Sequence, residues 1–262
     1  MTKSIPVIGT SIVNTPYWMA RLIMSVDYPV DEFVIFNNNG RDQITEDLDI
    51  LAKLPHKYIK KIRVCHLPAN IGCGGAWNMI IKSYINAPYW IIANHDVAFT
   101  PGFLERMAEK AEDPEVGIVH GSAGDNGLGS WDLFLIKDFA IQRYGLFDDN
   151  FYPIYAEDFD YVMRILADDN PMKRDMSVGL PYFHGETTDY AKSGSQTWRS
   201  DLSLKEKFDN SRILNETEYM YKKWGENWHY CQPFKHPFNL KDIPITYTTF
   251  DLEFARRKHV GF

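Results

Sequence analysis

The run Tyr89-Trp90-Ile91-Ile92-Ala93-Asn94-His95-Asp96 constrains this chain more than any other stretch. An apolar strand runs straight into a polar triplet, so a buried strand carries two oxygen ligands and an imidazole at its carboxyl end. In an open α/β sheet that end is where ligands bind. Thr100-Pro101 follows and reads as a helix start, with Thr100 as N-cap and Pro101 as the first helical residue.

The flanking segments repeat the pattern. Ile5 to Val13 reads as a first strand, and Thr15-Pro16 opens a helix through Ser25. Phe33 to Phe36 is a second strand ending in Asn37-Asn38-Asn39-Gly40. That ending serves as a tight turn, or presents Asn donors and acceptors to the edge of a nucleobase. A helix over Thr45 to Leu54 and a strand over Ile62 to Leu67 lead to Asn70-Ile71-Gly72-Cys73-Gly74-Gly75-Ala76-Trp77-Asn78. This is a glycine-rich turn feeding a helix, where backbone N–H groups and the helix dipole favour an anion. Its spacing is neither a P-loop nor a dinucleotide fingerprint. Strand and helix alternate this far, which predicts a mostly parallel sheet with right-handed crossovers.

A helix over 101–111 and a strand over Val116 to His120 close the first half. Gly121 to Gly129 is rich in glycine and small polar residues and reads as a mobile loop. The second half has a strand-like run at Trp131 to Lys137, a helix from Asp138 ended by Gly145, and a turn at Gly145-Leu146-Phe147-Asp148. Phe159, Val162, Met163 and Leu166 fall at i, i+3, i+4 and i+7, which makes 157–166 an amphipathic helix. Glu157, Asp158 and Asp160 in its first turn either complement the dipole or carry chemistry. Met176 to Phe183 reads as a strand ending at His184, and Ser211 to Trp224 as a helix closed by Gly225. Trp224, Trp228 and Tyr230 look exposed in the aromatic tail.

Composition narrows the function. A net charge of −7 argues against a nucleic-acid partner, because binding a phosphate backbone needs a basic surface. Cys65, Cys73 and Cys231 lie far apart without CxxC spacing, which argues against a disulfide framework or a zinc site and fits a reducing compartment. No apolar run approaches the ~20 residues of a membrane span and no signal-peptide pattern opens the chain, so the expectation is a soluble, cytoplasmic protein.

In this order the segments resemble glycosyltransferase family 2, whose members have the GT-A fold. The likeness runs from Ile5 to Gly185: the opening strand with Asn37-Asn38-Asn39-Gly40, the Asn70-Ile71-Gly72…Asn78 segment, Asn94-His95-Asp96 with Pro101-Gly102, Gly145-Leu146-Phe147-Asp148, and Glu157-Asp158-x-Asp160-x-x-x-Arg164. Tyr221-Lys222-Lys223-Trp224-Gly225 echoes a later family segment. The resemblance implies an α/β fold of GT-A type, Rossmann-like, with a smaller acceptor-side sheet. It implies one continuous domain, with a nucleotide-sugar half over 1–120 and an acceptor-binding half with a helical tail over 121–262.

The resemblance also implies a hexosyltransferase that moves a sugar from a UDP-, GDP- or dTDP-linked donor to a glycan or glycoconjugate hydroxyl, with inversion and with Mn²⁺ or Mg²⁺. Asn37 would meet the base, Pro6 to Thr10 would line its pocket, and Asn70, Gly72, Asn78, Asn94 and His95 would complete the donor site. Asp96 would bind the metal, with His184 as a further ligand. Asp158 would be the general base beside Glu157, and Trp131 would stack on a sugar face. Asn94 stands where the family's Asp-x-Asp has its first carboxylate, which weakens metal binding in the absence of diphosphate. The competing readings are a retaining transferase, a nucleotidyltransferase, and a sugar- or nucleotide-binding protein with a decayed site.

Overall fold

The computed structural model describes residues 4–40, 42–124, 127–229 and 234–258. Its centre is a seven-stranded sheet. The chain lays down β1 (Ile5–Ile12), α1 (Pro16–Met24), β2 (Val30–Asn37), α2 (Thr45–Lys53), β3 (Ile59–His66), α3 (Cys73–Ser83) and β4 (Tyr89–Ala93). It continues with β5 (Val97–Phe99), α4 (Phe103–Ala111), β6 (Val116–His120), β7 (Leu133–Lys137), α5 (Asp138–Tyr144), α6 (Glu157–Leu166), β8 (Lys173–Asp175) and β9 (Tyr182–His184). The sheet order is β3-β2-β1-β4-β7-β6-β8, and β5 pairs with β9 in a separate two-stranded sheet. Only β7 runs against its neighbours β4 and β6. One sheet therefore runs through both halves of the chain.

Strands buried on both faces need continuous apolar sequence, which Phe33-Val34-Ile35-Phe36 and Trp90-Ile91-Ile92 supply. On one face lie Met19, Leu22 and Ile23 of α1, Leu48 of α2, and Phe103, Leu104 and Met107 of α4. On the other lie Trp77, Ile80 and Ile81 of α3, Tyr144 of α5, and Tyr161, Val162 and Met163 of α6. Gly9 permits α3 to lie close on β1, since a Cβ there would stand 2.3 Å from Ile80 Cγ2. The chain moves outward from β1 through β2 to β3, then returns to β4 on the other side of β1. That reversal opens a crevice at the carboxyl ends of β1 and β4.

Several expected boundaries move. Neither proline-led helix is capped by its threonine: Thr15 is left-handed (φ 58°) and makes no cap bond to α1. After β4 the chain forms β5 rather than a helix start; Thr100 Oγ1 donates to the Pro181 carbonyl, and α4 begins at Phe103 behind a left-handed Gly102. Of the strand expected over Met176 to Phe183 only Tyr182 and Phe183 are in a strand, β9; β8 ends before it at Asp175, and Gly179 (φ 84°) and Pro181, which lacks an N–H, lie in the irregular stretch between the two.

Past β9 a short helix α7 (Gln196–Arg199) precedes α8 (Leu202–Leu214), a π-helical turn (Asn215–Tyr219) and α9 (Met220–Trp224). The helix expected from Ser211 thus starts nine residues earlier, where Asp201 accepts from Leu204 N. The last helix, α10, is Leu252–Arg257. Trp224 and Trp228 are buried rather than exposed, while Tyr230 and Cys231 lie outside the described residues. So do Asp125 and Asn126 of the glycine-rich 121–129 segment, whose ends are joined by Gly129 N–Ala123 O and Ser130 N–Ser122 O bonds. Among the described residues no helix is long and apolar enough to cross a membrane.

Candidate active site

A cavity of about 270 Å³ sits at the crevice. Ser11 at the end of β1 and Val13 beyond it, Asn38 after β2, Asn70 before α3 and Cys73 at its first position, and Asn94, His95 and Asp96 after β4 line one side. Pro153, Ile154, Tyr155, His184, Ser195, Thr197, Trp198 and Phe208 line the other.

The turn after β4 is held from both halves. Asn94 N donates to Asp132 O (2.7 Å) and Val97 N returns to Asn94 O (3.1 Å). Pairing of β5 with β9 sets Val97 opposite His184, and Gly185 N donates to Asp96 O. That register brings His184 beside Asp96, 88 positions earlier in the chain: its Nε2 lies 3.5 Å from Asp96 Oδ1, and its Nδ1 lies 3.1 Å from Asp132 Oδ2. The second Asp96 oxygen accepts from Gln196 N (2.7 Å) at the start of α7. Asp96 Oδ1 and both His184 nitrogens are buried without a hydrogen-bond partner.

Burial alone would raise the Asp96 pKa. His184, His95 and the Gln196 N–H outweigh it and hold the group at about 2. Burial acts to lower His184, but the carboxylates of Asp96 and Asp132 overcome it and raise the imidazole. His95, buried with Nε2 3.3 Å from Thr15 Oγ1, is lowered by desolvation.

The donor set suits a hard or borderline cation, with one ionised carboxylate and one imidazole facing each other. At 3.5 Å the two atoms can share one ion with bonds of about 2.0–2.2 Å. Among the described residues no group of three or more His, Cys, Asp and Glu side chains is arranged to hold a metal unaided. Further ligands would have to come from a bound diphosphate and water.

Other expected residues have different duties. Pro6 lines a separate, more open cleft of about 920 Å³ with Pro88, Tyr89 and Pro114, because it sits at the amino end of β1. Thr10 is fully buried in β1 and does not line the crevice cavity. The Asn37 amide contacts Thr45 Oγ1 and His66 Nδ1, and its Oδ1 accepts from Asn39 N, so it builds the turn; its neighbour Asn38 reaches the cavity. Asn38 Oδ1 accepts from Ile71 N and Asn70 Oδ1 from Gly72 N, which locks the approach to α3. Gly72 (φ 81°) is required there, since a Cβ would meet Pro153 O at 2.9 Å. Asn78 spends its amide on Phe147 N, Phe147 O and Asp149, away from the cavity. Trp131 is core, packed on Trp77 and Phe134, because it precedes a strand buried on both faces.

Glu157 and Asp158 open α6 one residue, Ala156, beyond the wall residues Ile154 and Tyr155, though neither is itself a cavity-lining side chain. Asp158 Oδ1 accepts from Phe159 N (2.8 Å). Burial pushes both carboxyls above the ordinary carboxylate range, and their mutual repulsion adds to it for Glu157. Glu157 Oε2 has no hydrogen-bond partner. An acid whose folded pKa is raised contributes stability below its unfolded value of 4.5 that is lost as pH rises through the folded value. Glu157→Gln is therefore expected to flatten the loss of melting temperature between acid and alkaline pH. A pH–stability curve parallel to that of the wild type would contradict the assignment.

The aromatic wall, Tyr155, Trp198 and Phe208, and the 195–198 segment carry almost no signal in the sequence. Trp198, three positions after Ser193-Gly194-Ser195, is the one cue, an aromatic residue close behind a glycine-serine turn. Asp132 has none.

The sheet order, the two-stranded sheet beside the Asn94-His95-Asp96 turn and the crevice position define a GT-A type α/β fold. The family model for glycosyl transferase family 2 matches residues 18–161, and the chain belongs to that family. It is 23% identical over 212 aligned residues to a galactofuranosyl glycosyltransferase of Leishmania donovani, covering 56% of this chain and 49% of that protein. The chain thus spans about half the length of this curated relative. Among solved structures it is similar to the mannosyltransferase PcManGT of Pyrobaculum calidifontis, in complex with GDP-Man and Mn²⁺ (TM-score 0.53, 14% identity, 80% of this chain and 64% of that one). It is also similar to residues 1–349 of S. aureus TarS (TM-score 0.51, 14% identity, 80% and 66%).

Proposed function

We propose that this chain transfers a sugar from a nucleotide-diphosphate sugar to an acceptor hydroxyl with inversion at the anomeric carbon. The observation that carries the reading is the pair of unpartnered buried atoms, Asp96 Oδ1 and His184 Nε2, facing each other at a cavity on the sheet's reversal point. Asp96 and His184 would hold a divalent cation, which when bound offsets the charge that gathers on the leaving diphosphate. Residues 1–120 would supply most of the donor site, with Asn38, Asn70 and Asn94 offering polar groups to the nucleotide, and 121–262 would supply the acceptor side.

Asp158 takes the acceptor proton as the hydroxyl oxygen attacks the anomeric carbon from the face opposite the diphosphate. One C–O bond forms, one breaks, and configuration inverts. Its pKa, raised by burial, makes the carboxylate a better base than one in water. Tyr155 and Trp198 bring aromatic faces to the same cavity, where a sugar or base ring can lie against them.

With Asn94 in place of a carboxylate, the protein supplies few metal ligands alone. Mn²⁺ is therefore expected to bind more tightly when nucleotide diphosphate is present. GDP and UDP are the first two to test by titration calorimetry, because structurally similar proteins hold GDP-Man and UDP. Equal Mn²⁺ affinity with and without either nucleotide would refute the shared site.

A further inference from the structure

The imidazole that faces Asp96 has a second carboxylate behind it. We propose that Asp132 is a positioning residue for His184: it accepts the Nδ1 proton, leaving Nε2 with the lone pair a cation needs. This rests on the metal-site reading of Asp96 and His184 given above.

A neutral imidazole has one N–H and one acceptor nitrogen, whereas a carboxylate only accepts. Held between two carboxylates, His184 can donate to either. Distance favours Asp132, because Nδ1 lies 3.1 Å from Asp132 Oδ2 while Nε2 lies 3.5 Å from Asp96 Oδ1; neither contact is aligned as a hydrogen bond, so a small turn of the ring would complete the nearer one. Asp132 is itself fixed. The Tyr182 hydroxyl lies 2.9 and 2.8 Å from its two oxygens, and Ser130 Oγ lies 3.2 Å from that hydroxyl. Tyr182 and His184 stand two apart on β9 and so share a face of the strand, which lets one carboxylate meet both side chains. The same residue's carbonyl accepts from Asn94 N, so Asp132 anchors the turn that carries Asp96 as well as the ring opposite it. A carboxylate behind a metal-bound histidine fixes the ring's tautomer and orientation, and its loss typically weakens metal binding about 10–100-fold.

Nitrogen-15 NMR of metal-free protein at about pH 9, above the ordinary histidine range, reads the tautomer directly. The wild type is expected to carry the His184 proton on Nδ1, and Asp132→Asn, whose amide can turn an N–H toward the ring, to shift it to Nε2. In parallel, Mn²⁺ binding in the presence of GDP or UDP is expected to weaken about 10–100-fold in Asp132→Asn, with nucleotide binding in the absence of metal unchanged. Tyr182→Phe, which keeps the carboxylate but frees it, is expected to move both readouts the same way by less, and it carries the test if Asp132→Asn does not fold. A wild-type proton on Nε2 would overturn the proposal. So would Mn²⁺ affinity in Asp132→Asn within about twofold of wild type while Asp96→Ala abolishes binding. A wild type that binds no Mn²⁺ with either nucleotide sinks the underlying metal reading instead, and the tautomer still decides the part played by Asp132.

Discussion

Asp158→Asn is expected to lower the rate of sugar transfer by about 10²–10⁴-fold, or roughly 3–5 kcal/mol of barrier, the usual contribution of a general base. The substitution is nearly isosteric, the Asn oxygen can still accept from Phe159 N, and no buried carboxylate is left to ionise, so melting temperature should not fall. The wild-type enzyme should also show an acid limb in kcat/KM. Burial raises the Asp158 pKa above 3.8, so the base form is lost as pH falls through the raised value, and the rate drops about tenfold per unit below it. The variant should lack that limb. Activity retained within about threefold would remove Asp158 from the mechanism.

Lys223→Met is expected to cost about 3–5 kcal/mol of stability, which for a chain of this size lowers melting temperature by roughly 6–20 °C. Lys223 Nζ lies 2.7 Å from Asp148 Oδ2 and 2.7 Å from Asp160 Oδ1, with all three side chains out of solvent. Arg164 pairs with Asp160 at 2.7 Å and donates to the carbonyls of Tyr144 and Leu146; Trp224 Nε1 donates to Asp160, and the Tyr219 hydroxyl to Asp148. Removing the ammonium leaves Asp160 with the Arg164 guanidinium and takes from Asp148 its direct ion pair, with the Lys258 ammonium acting on it only from a distance. The loss exceeds the net worth of the ion pairs, because an unpaired buried charge keeps its full desolvation cost. A melting temperature within about 2 °C of wild type would show that Asp148 finds another partner.

This network also explains why three separated stretches of sequence were legible as one pattern. Gly145 to Asp148, Glu157 to Arg164 and Tyr221 to Gly225 meet at Asp148, Asp160, Arg164, Lys223 and Trp224, so their order reflects one buried polar cluster. Strands β1, β2, β4 and β6 and helix α6 were readable because continuous apolar runs and a 3.6-residue period are local signals. The three-residue strand β5 was not, and neither was its pairing with β9, since such short strands are fixed by each other; that pairing decides the site by bringing His184 to Asp96. Polar residues misled in one direction. Asn37 and Asn78 have the donors and acceptors of ligand-binding groups, yet both amides are taken up by turns of the protein itself, which sequence cannot distinguish from a ligand. Trp131, Trp224 and Trp228 show the same ambiguity for aromatic faces, resolved here toward the core.

Donor hydrolysis tests the central claim most directly: purified protein with Mn²⁺ and a panel of UDP-, GDP- and dTDP-sugars, without acceptor and then with a simple glycan, reading released nucleotide diphosphate. Release from one donor, abolished by chelator and by Asp96→Ala, is the expected result. Release that survives both chelator and Asp96→Ala would contradict a metal-assisted transferase site at Asp96. Silence with every donor and acceptor, together with no nucleotide-induced rise in melting temperature, would contradict nucleotide-sugar binding in the crevice.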